Sequence, residues 1–300
     1  MDVRDLNYFV TVASLGHIGR AAEQLGLTQP AVTKSIARLE HALNARILER
    51  HAKGVTVTAF GAHVLRQAVR LRSATEDAKR ELADLATGAA GHLRIGTGLA
   101  VAQHLLPLAC SRLLVERPRV TFDILAGTGK SLVPYLRDGH FDLVLSGIPP
   151  GSEPGLRHEG IMDDRVVVIA RRNHPLHRRR KVTLEQIAQQ RWILSRSGSL
   201  LADWLGQRWR EAGLPAPVPA VQVDSMATLL SIVASTDLIT FHSWATVRHS
   251  PLRSALRPIA GSPLVWRRTL GVTYRDGGYM PLAARRFIEL LVEIGDKERT

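Results

Sequence analysis

The sequence predicts an α/β protein overall, with a helical head. Three observations carry that reading. From His92 onward, short apolar runs alternate with stretches of helical periodicity, the signature of a layered α/β unit. Residues 17–43 hold two short helical patterns parted by a glycine. A long amphipathic run, from Ala59 to about Ala86, stands between these two regions. With 300 residues, about two globular units are expected at roughly 150 residues each.

The head is the most specific part. Ile18, Ala21, Ala22 and Leu25 fall at near-helical spacing, and Gly26 ends the run because glycine leaves a helix at positive φ with little penalty. Thr28 is placed to cap a new helix through its hydroxyl, with Pro30 in the first turn, where no N–H is missed. Val32, Ile36, Leu39 and Leu43 then form one apolar face, while Gln29, Thr33, Lys34 and Arg38 lie on another. The paired alanines allow close helix approach. Helix, tight turn and helix with a polar, basic second face match a DNA-binding helix-turn-helix, although any helical hairpin shares the spacing. Short hydrogen-bonding side chains at the helix start suit base edges, and the cations further along suit phosphates.

Arg46–Arg50 and Val55–Thr58 read as short strands about a turn at His51–Gly54, so a small hairpin wing follows. Arg50 and Lys53 are placed to reach phosphate. At this point the chain resembles the LysR-type transcriptional regulators. The segments FVTVASLGHIGRAAEQLGLTQPAVTKSIARLEHAL and ILERHAKGVTVTAFG carry the resemblance, which extends over the whole chain. It implies a winged helix-turn-helix over residues 1–58, with Arg20, Gln29, Pro30, Thr33, Lys34, Arg38, Arg50 and Lys53 on double-stranded operator DNA. His17 and Gly19 stand where the family usually has Ser and a Ser or Thr, and Ile47-Leu48 replaces a common Leu-Phe. These departures bear on operator preference rather than on the fold.

Thr58 precedes the long helix of a linker spanning residues 59–90. Val64, Ala68, Leu71, Thr75, Ala78, Leu82 and Leu85 alternate steps of four and three, an a/d seam. A self-pairing helix is expected, with Val64, Leu71, Leu82 and Leu85 between two copies, because a winged domain on a seam needs two copies to read two half-sites. The alternative is one amphipathic helix packed on its own domain. The resemblance implies a homodimer or homotetramer. Thr87–Gly91 reads as a hinge.

Residues 91–300 read as the effector-binding domain. Strand candidates are Leu93–Thr97, Thr121–Leu125, Phe141–Leu145, Val166–Ala170, Trp192–Leu194, Val221–Val223, Leu238–Thr240 and Leu270–Thr273. Helix candidates include Val101–Glu116, Ser131–Arg137, Leu184–Ala188, Leu200–Ala212, Met226–Ala234 and Pro281–Ile294. The resemblance adds a two-subdomain architecture like a periplasmic binding protein, with a ligand cleft. Subdomain I would take about 91–162 and 267–300, and subdomain II about 163–266. Matching loops to that cleft gathers Thr97, Gly98, Thr128, Lys130, Gly147, Ser197 and Ser225 around one cavity. Hydroxyls and free helix-start N–H groups suit a small organic carboxylate, sulfonate or polyol, and Lys130 or Arg196 adds charge. Each Ser or Thr taken alone is equally a helix cap. Ser235–Ser243, STDLITFHS, resembles a branch whose effectors include sugars and aromatic or sulfonated acids.

Several motifs are decoys. Gly96–Ala100 follows a strand, but Val101 stands where a dinucleotide fingerprint needs glycine. Gly127–Ser131 has Ile124 where a P-loop needs glycine. His174 and His177 have no supporting carboxylate or cysteine, so no metal site and no cofactor are expected. The run His177–Lys181 reads as a solvated loop or an auxiliary polyanion contact. No G-x-S-x-G occurs, and no catalytic set is suggested by spacing. Cys110 is the sole cysteine, which excludes an intrachain disulfide and reads as a small buried hydrophobe.

The net charge of +13 points towards polyanionic partners. Residues 1–90 hold 12 basic against 9 acidic groups, so charge alone does not locate the surface. No 18-residue apolar run occurs, so no membrane contact is expected, and the charged N-terminus makes the cytoplasm the default. The expected function is a sequence-specific transcriptional regulator, not an enzyme, with RNA polymerase as a further candidate partner. Two other readings stay open: an effector-independent nucleoid-type protein, and an α/β enzyme with a DNA-binding appendage.

Overall fold

A computed structural model describes residues 2–52, 54–87, 91–195 and 200–299, with backbone alone for 84–87 and 299. The chain divides after residue 89 into two compact units, the short segment Arg137–His140 grouping with the first.

The first unit begins with α1 (Val3–Leu15), capped by the Asp2 carboxylate and closed by Gly16 at φ 63°. Next comes α2 (Ile18–Leu25), ended by Gly26 at φ 66°, then α3 (Gln29–Leu43). Thr28 precedes α3 in extended conformation, but its hydroxyl makes no capping bond. The side-chain cap lies one helix earlier, where Nδ1 of His17 accepts from the Gly19 amide at 3.1 Å.

Strands β1 (Leu48–His51) and β2 (Gly54–Val57) form the antiparallel wing. The Val55 amide donates to the Gly16 carbonyl at 2.8 Å, which ties the wing to the α1–α2 turn. Thr58 then caps α4 (Ala59–Thr87) by accepting from Gly61 N at 2.8 Å. A Cβ at Gly61 would sit 2.1 Å from the Ile47 carbonyl oxygen, so only glycine lets α4 run this close to the wing.

One core holds this unit together. Phe9, Ala21, Val32, Ile36, Leu39 and Ile47 are almost completely buried. Fully burying one large apolar side chain contributes about 1.5–3 kcal/mol. The start of α4 joins this core: Ala68 is buried, and Val64 is half-buried against it. These two seam positions thus pack on their own unit. Leu71 and Leu82 remain 45% and 67% exposed. Leu85 lies outside the described side chains, and most of the expected hinge lies outside the described residues.

The second unit runs through β3 (His92–Gly98), α5 (Leu99–Ala102), α6 (Leu105–Glu116), β4 (Thr121–Gly127), α7 (Gly129–Arg137), β5 (Leu143–Gly147) and β6 (Leu156–Arg171). A 3₁₀ turn at Pro175–Arg178 follows. Then come α8 (Leu184–Ala188), β7 (Trp192–Leu194), α9 (Leu200–Glu211), β8 (Pro219–Gln222), α10 (Met226–Ser235), β9 (Thr240–Ser243) and α11 (Trp244–Arg248). The unit closes with β10 (Leu256–Pro258), β11 (Val265–Arg275) and α12 (Leu282–Arg299).

The main sheet has the order β10-β6-β11-β5-β3-β4, with β9 also on β6. Strands β4, β3 and β5 are parallel, and β11 enters antiparallel between β5 and β6. Two lobes share this sheet. Leu93, Leu105, Leu143, Phe287 and Leu291 centre the first core. Val166, Val168, Trp192, Trp209 and Phe241 centre the second, with Met226, Leu230 and Val233 in a layer beside it. Strands β6 and β11 pass from one lobe to the other: Met162 and Leu270 belong to the first core, Val166 and Val168 to the second. Residues 163 and 267 therefore fall inside strands.

The differences from the sequence reading have physical reasons. The run Val101–Glu116 is two helices, broken at Gln103–His104. The strand read as Val166–Ala170 is the end of a 16-residue strand. Its first part, LRHEGIMDDR, is mostly polar and offers no apolar run to read; pairing with β11 along Leu156–Val167 makes it a strand.

Candidate nucleic-acid interface and effector cleft

Helix α3 separates its faces sharply. Val32, Ile36 and Leu39 point into the core, while Gln29, Pro30, Lys34 and Arg38 are exposed and Thr33 is half-buried at the margin. Arg20 on α2 and Arg50 on the wing are also exposed. Lys53 lies outside the described residues.

Arg38 has a partner that spacing did not reveal. Asp5 on α1 is buried, accepting from Ser35 Oγ at 2.6 Å and Arg38 Nε at 2.8 Å. The Arg38 guanidinium also donates Nη2 to the second carboxylate oxygen. The hydrogen bond from Arg38 holds the Asp5 carboxyl below its ordinary value, against the opposing effect of burial. Arg38 is therefore a clamp between α1 and α3. Its side chain is still 58% exposed, so one face of the guanidinium stays open.

In the second unit, a cavity of about 420 Å³ opens between the lobes. Its first wall is the Gly98–Val101 segment, the Gly127–Ser131 loop and Ser146-Gly147. Ser195, Leu200, Leu201, Asp224 and His242 approach from the second lobe, and Arg268 and Leu270 from β11. Of the residues expected here, Gly98, Thr128 and Gly147 line the cavity. Thr97 does not: it is buried in β3, with its hydroxyl donating to the Gly98 carbonyl at 3.2 Å. Ser225 is the cap of α10, accepting from Thr228 N at 3.3 Å, and is not in the wall. Lys130 pairs with Asp203 at 2.6 Å, a contact from α7 to α9 that joins the lobes. Arg196 and Ser197 lie outside the described residues.

The charged floor was missed. Asp164 has no solvent exposure and accepts from Ser243 Oγ at 2.7 Å. Arg268 Nε and Nη2 both lie 2.9 Å from its other oxygen. Arg268 Nη1 is beside Gly147 and makes no hydrogen bond among the described residues. The neighbouring His242 accepts from Ser243 N at 2.9 Å through Nδ1. Burial, then the Arg268 charge, pushes its pKa down to about 4. The ring is therefore neutral at pH 7, with its proton on Nε2. One signal was available: arginine and aspartate inside the strand runs DDRVVVIA and VWRRTLGV must find partners if they turn inward.

Residues 3–62 match the model for bacterial regulatory helix-turn-helix proteins of the lysR family, and residues 86–295 match the LysR substrate binding domain. The chain belongs to the LysR family. This LysR-family protein is a DNA-binding transcriptional regulator with an effector-binding domain, and its family regulates transcription rather than catalysing a reaction.

Among relatives, the SDS degradation transcriptional activation protein of Pseudomonas sp. (strain ATCC 19151) is 29% identical, covering 97% of this chain and 96% of that one. The transcriptional dual regulator GltC of Bacillus subtilis is 25% identical, covering 99% and 98%. A full-length OxyR variant from Pseudomonas aeruginosa has the same fold, with a TM-score of 0.68 at 22% identity, covering 97% and 94%. No helix among the described residues is long and apolar enough to cross a membrane.

Proposed function

We propose that this regulator binds a small hydroxylated organic anion in the cleft between its lobes, and that occupancy changes operator binding. The observation that carries the reading is Arg268. Two of its nitrogens are held by Asp164, and the third faces the cavity beside Gly147. A guanidinium fixed in this way presents its remaining N–H groups with little further loss of freedom. The Nε2 proton of His242 adds a neutral donor, and Ser146, Ser195, Thr128 and Asp224 offer partners for hydroxyls. Leu99, Leu201 and Leu270 supply the apolar remainder of the wall. Support for a small organic ligand comes also from fold relatives: the regulatory domain of CcmR is solved with 2-PG and the effector domain of QuiR with shikimate.

On DNA, Gln29, Pro30, Thr33 and Lys34 read base edges from α3, while Arg20, Arg50 and Lys53 hold phosphate, with the open face of Arg38 beside them. The support is the exposed polar face of α3 and the existence of a CbnR complex with its target DNA, at a TM-score of 0.64. The active form is a homodimer or homotetramer in the cytoplasm, paired through the exposed Leu71–Leu82 stripe of α4, and RNA polymerase is its further partner at the promoter. Selecting bound genomic fragments with and without small carboxylates, sulfonates and sugar acids tests this reading. A selected palindromic site whose affinity responds to one compound supports it. Uniform binding to all fragments, unaffected by any compound, overturns it in favour of a nucleoid-type role.

A further inference from the structure

Outside the cavity lining, three side chains from distant parts of the chain converge. His104 sits at the break between α5 and α6, His249 directly follows α11, and Glu298 is in the last turn of α12. One ligating atom from each lies within 4.8 Å of the others. His104 Nε2 is 3.1 Å from Glu298 Oε1, and His249 Nε2 is 3.4 Å from Oε2. We propose that His104, His249 and Glu298 bind a divalent transition metal ion, zinc by preference, as a site separate from the effector cavity.

The donor set is two imidazoles and one carboxylate, which is a three-ligand zinc set with an open fourth position. Tetrahedral bonds of about 2.0–2.1 Å put ligand atoms about 3.3 Å apart. The His104 Nε2 to Oε1 distance is already close to this; binding requires the two stacked rings to open and His249 Nε2 to turn from Oε2 towards Oε1, so that both lone pairs converge on one ion.

The hydrogen bonds outside the cluster point the same way. His249 Nδ1 is 2.8 Å from the Ala245 carbonyl, and a carbonyl only accepts, so Nδ1 carries the proton. In the neutral ring, the Nε2 lone pair therefore faces the Glu298 carboxylate. A proton on Nε2 or a metal ion beside it satisfies that contact, and the two cases bind differently to added metal. Fixing a ligand histidine through its other nitrogen is also the usual arrangement around bound metals. The two rings stack at 3.5 Å with planes 5° apart, and two imidazolium ions so placed would repel, so the doubly protonated state is disfavoured. Arg248 also faces the cluster, donating to Glu298 Oε2. That bond leaves Oε1 for the metal and orients the carboxylate.

The site has a consequence for the cleft. His104 lies two residues beyond α5, whose Leu99–Val101 line the cavity. Thr246 of α11 donates to the Ala100 carbonyl at 3.2 Å. A metal joining His104, His249 and Glu298 pins the cavity wall to both lobes and so restricts their relative movement.

The test uses chelator-treated, untagged full-length protein and Co²⁺ alone as the probe, followed by displacement with Zn²⁺. One equivalent of Co²⁺ per chain is expected, with visible d–d absorption of a four-coordinate ion that Zn²⁺ abolishes. His249→Gln and His104→Gln should each weaken binding at least tenfold, with circular dichroism unchanged. Absence of the d–d bands in wild type, or bands that persist in the His104→Gln/His249→Gln double variant, overturns the proposal and leaves a protonated histidine as the cation. The readout needs neither effector nor operator, so its failure is separate from failure of the regulatory reading.

Discussion

Replacing Arg268 with alanine isolates what the cleft floor contributes. The change leaves the Asp164 carboxylate, which has no exposure of its own, without its cation. Breaking a buried pair from one side costs about 3–5 kcal/mol. Ser243 Oγ still donates at 2.7 Å, and the open cavity admits water to the gap, so the low end, about 3 kcal/mol, is expected. At about 2–4 °C per kcal/mol for a domain of this size, the unit should melt roughly 6–12 °C lower. The assay is urea and thermal unfolding of wild type, Arg268→Ala, Asp164→Asn and the double variant. The double variant should be more stable than the sum of the two single losses predicts, because a neutral amide needs no cation. Arg268→Lys separates stability from function: it keeps the charge but not the fork, so it should retain much of the melting temperature while losing the thermal shift given by an anionic ligand. Equal melting of Arg268→Ala and wild type, or strict additivity in the double variant, would refute the pairing. An undiminished ligand shift in Arg268→Lys would refute the anion assignment.

Three further outcomes are expected. His242 is pushed down to about 4 from an ordinary 6.5, so the unfolded chain takes up its proton first. Stability from this group is complete above pH 6.5 and is lost as pH falls towards 4, with a slope of up to about 1.4 kcal/mol per pH unit; His242→Gln should flatten that slope in urea titrations across this range, and an unchanged slope would exclude the histidine as its source. On α3, Thr33→Ala and Lys34→Ala should each cost about 1–3 kcal/mol on the specific site and relax its sequence preference, whereas equal loss on random DNA in gel-shift titrations would remove them from base reading. Leu82→Asp should cut self-association at least tenfold in sedimentation while leaving each unit folded, because Leu82 is 67% exposed within one chain; an unchanged oligomer would show that the stripe is not the seam.

Much of the head was legible because its information is local. Gly26 closes α2 at positive φ, the apolar spacing of Val32, Ile36 and Leu39 orients α3, and two short β-like runs about a turn make the wing. These features depend on neighbours within a few residues, where periodicity and turn chemistry act. The long α4 was equally legible as a helix, but which part of its seam turns inward depended on α1 and the wing.

The cleft was legible only as a set of loops at strand ends. Gly98, Thr128 and Gly147 follow from that topology, because ligands gather where parallel strands end. Arg268 and Asp164 stand 104 positions apart and meet because β6 and β11 pair in one register, Arg268 opposite Asp164. Nothing local to either residue announces the other. Arg38 and Asp5, and His104, His249 and Glu298, are brought together in the same way. Sequence periodicity determines which face of an element is apolar. Which buried charge finds which partner is decided by the packing of elements far apart in the chain, because a charge removed from water takes whatever counter-group the tertiary structure brings within reach.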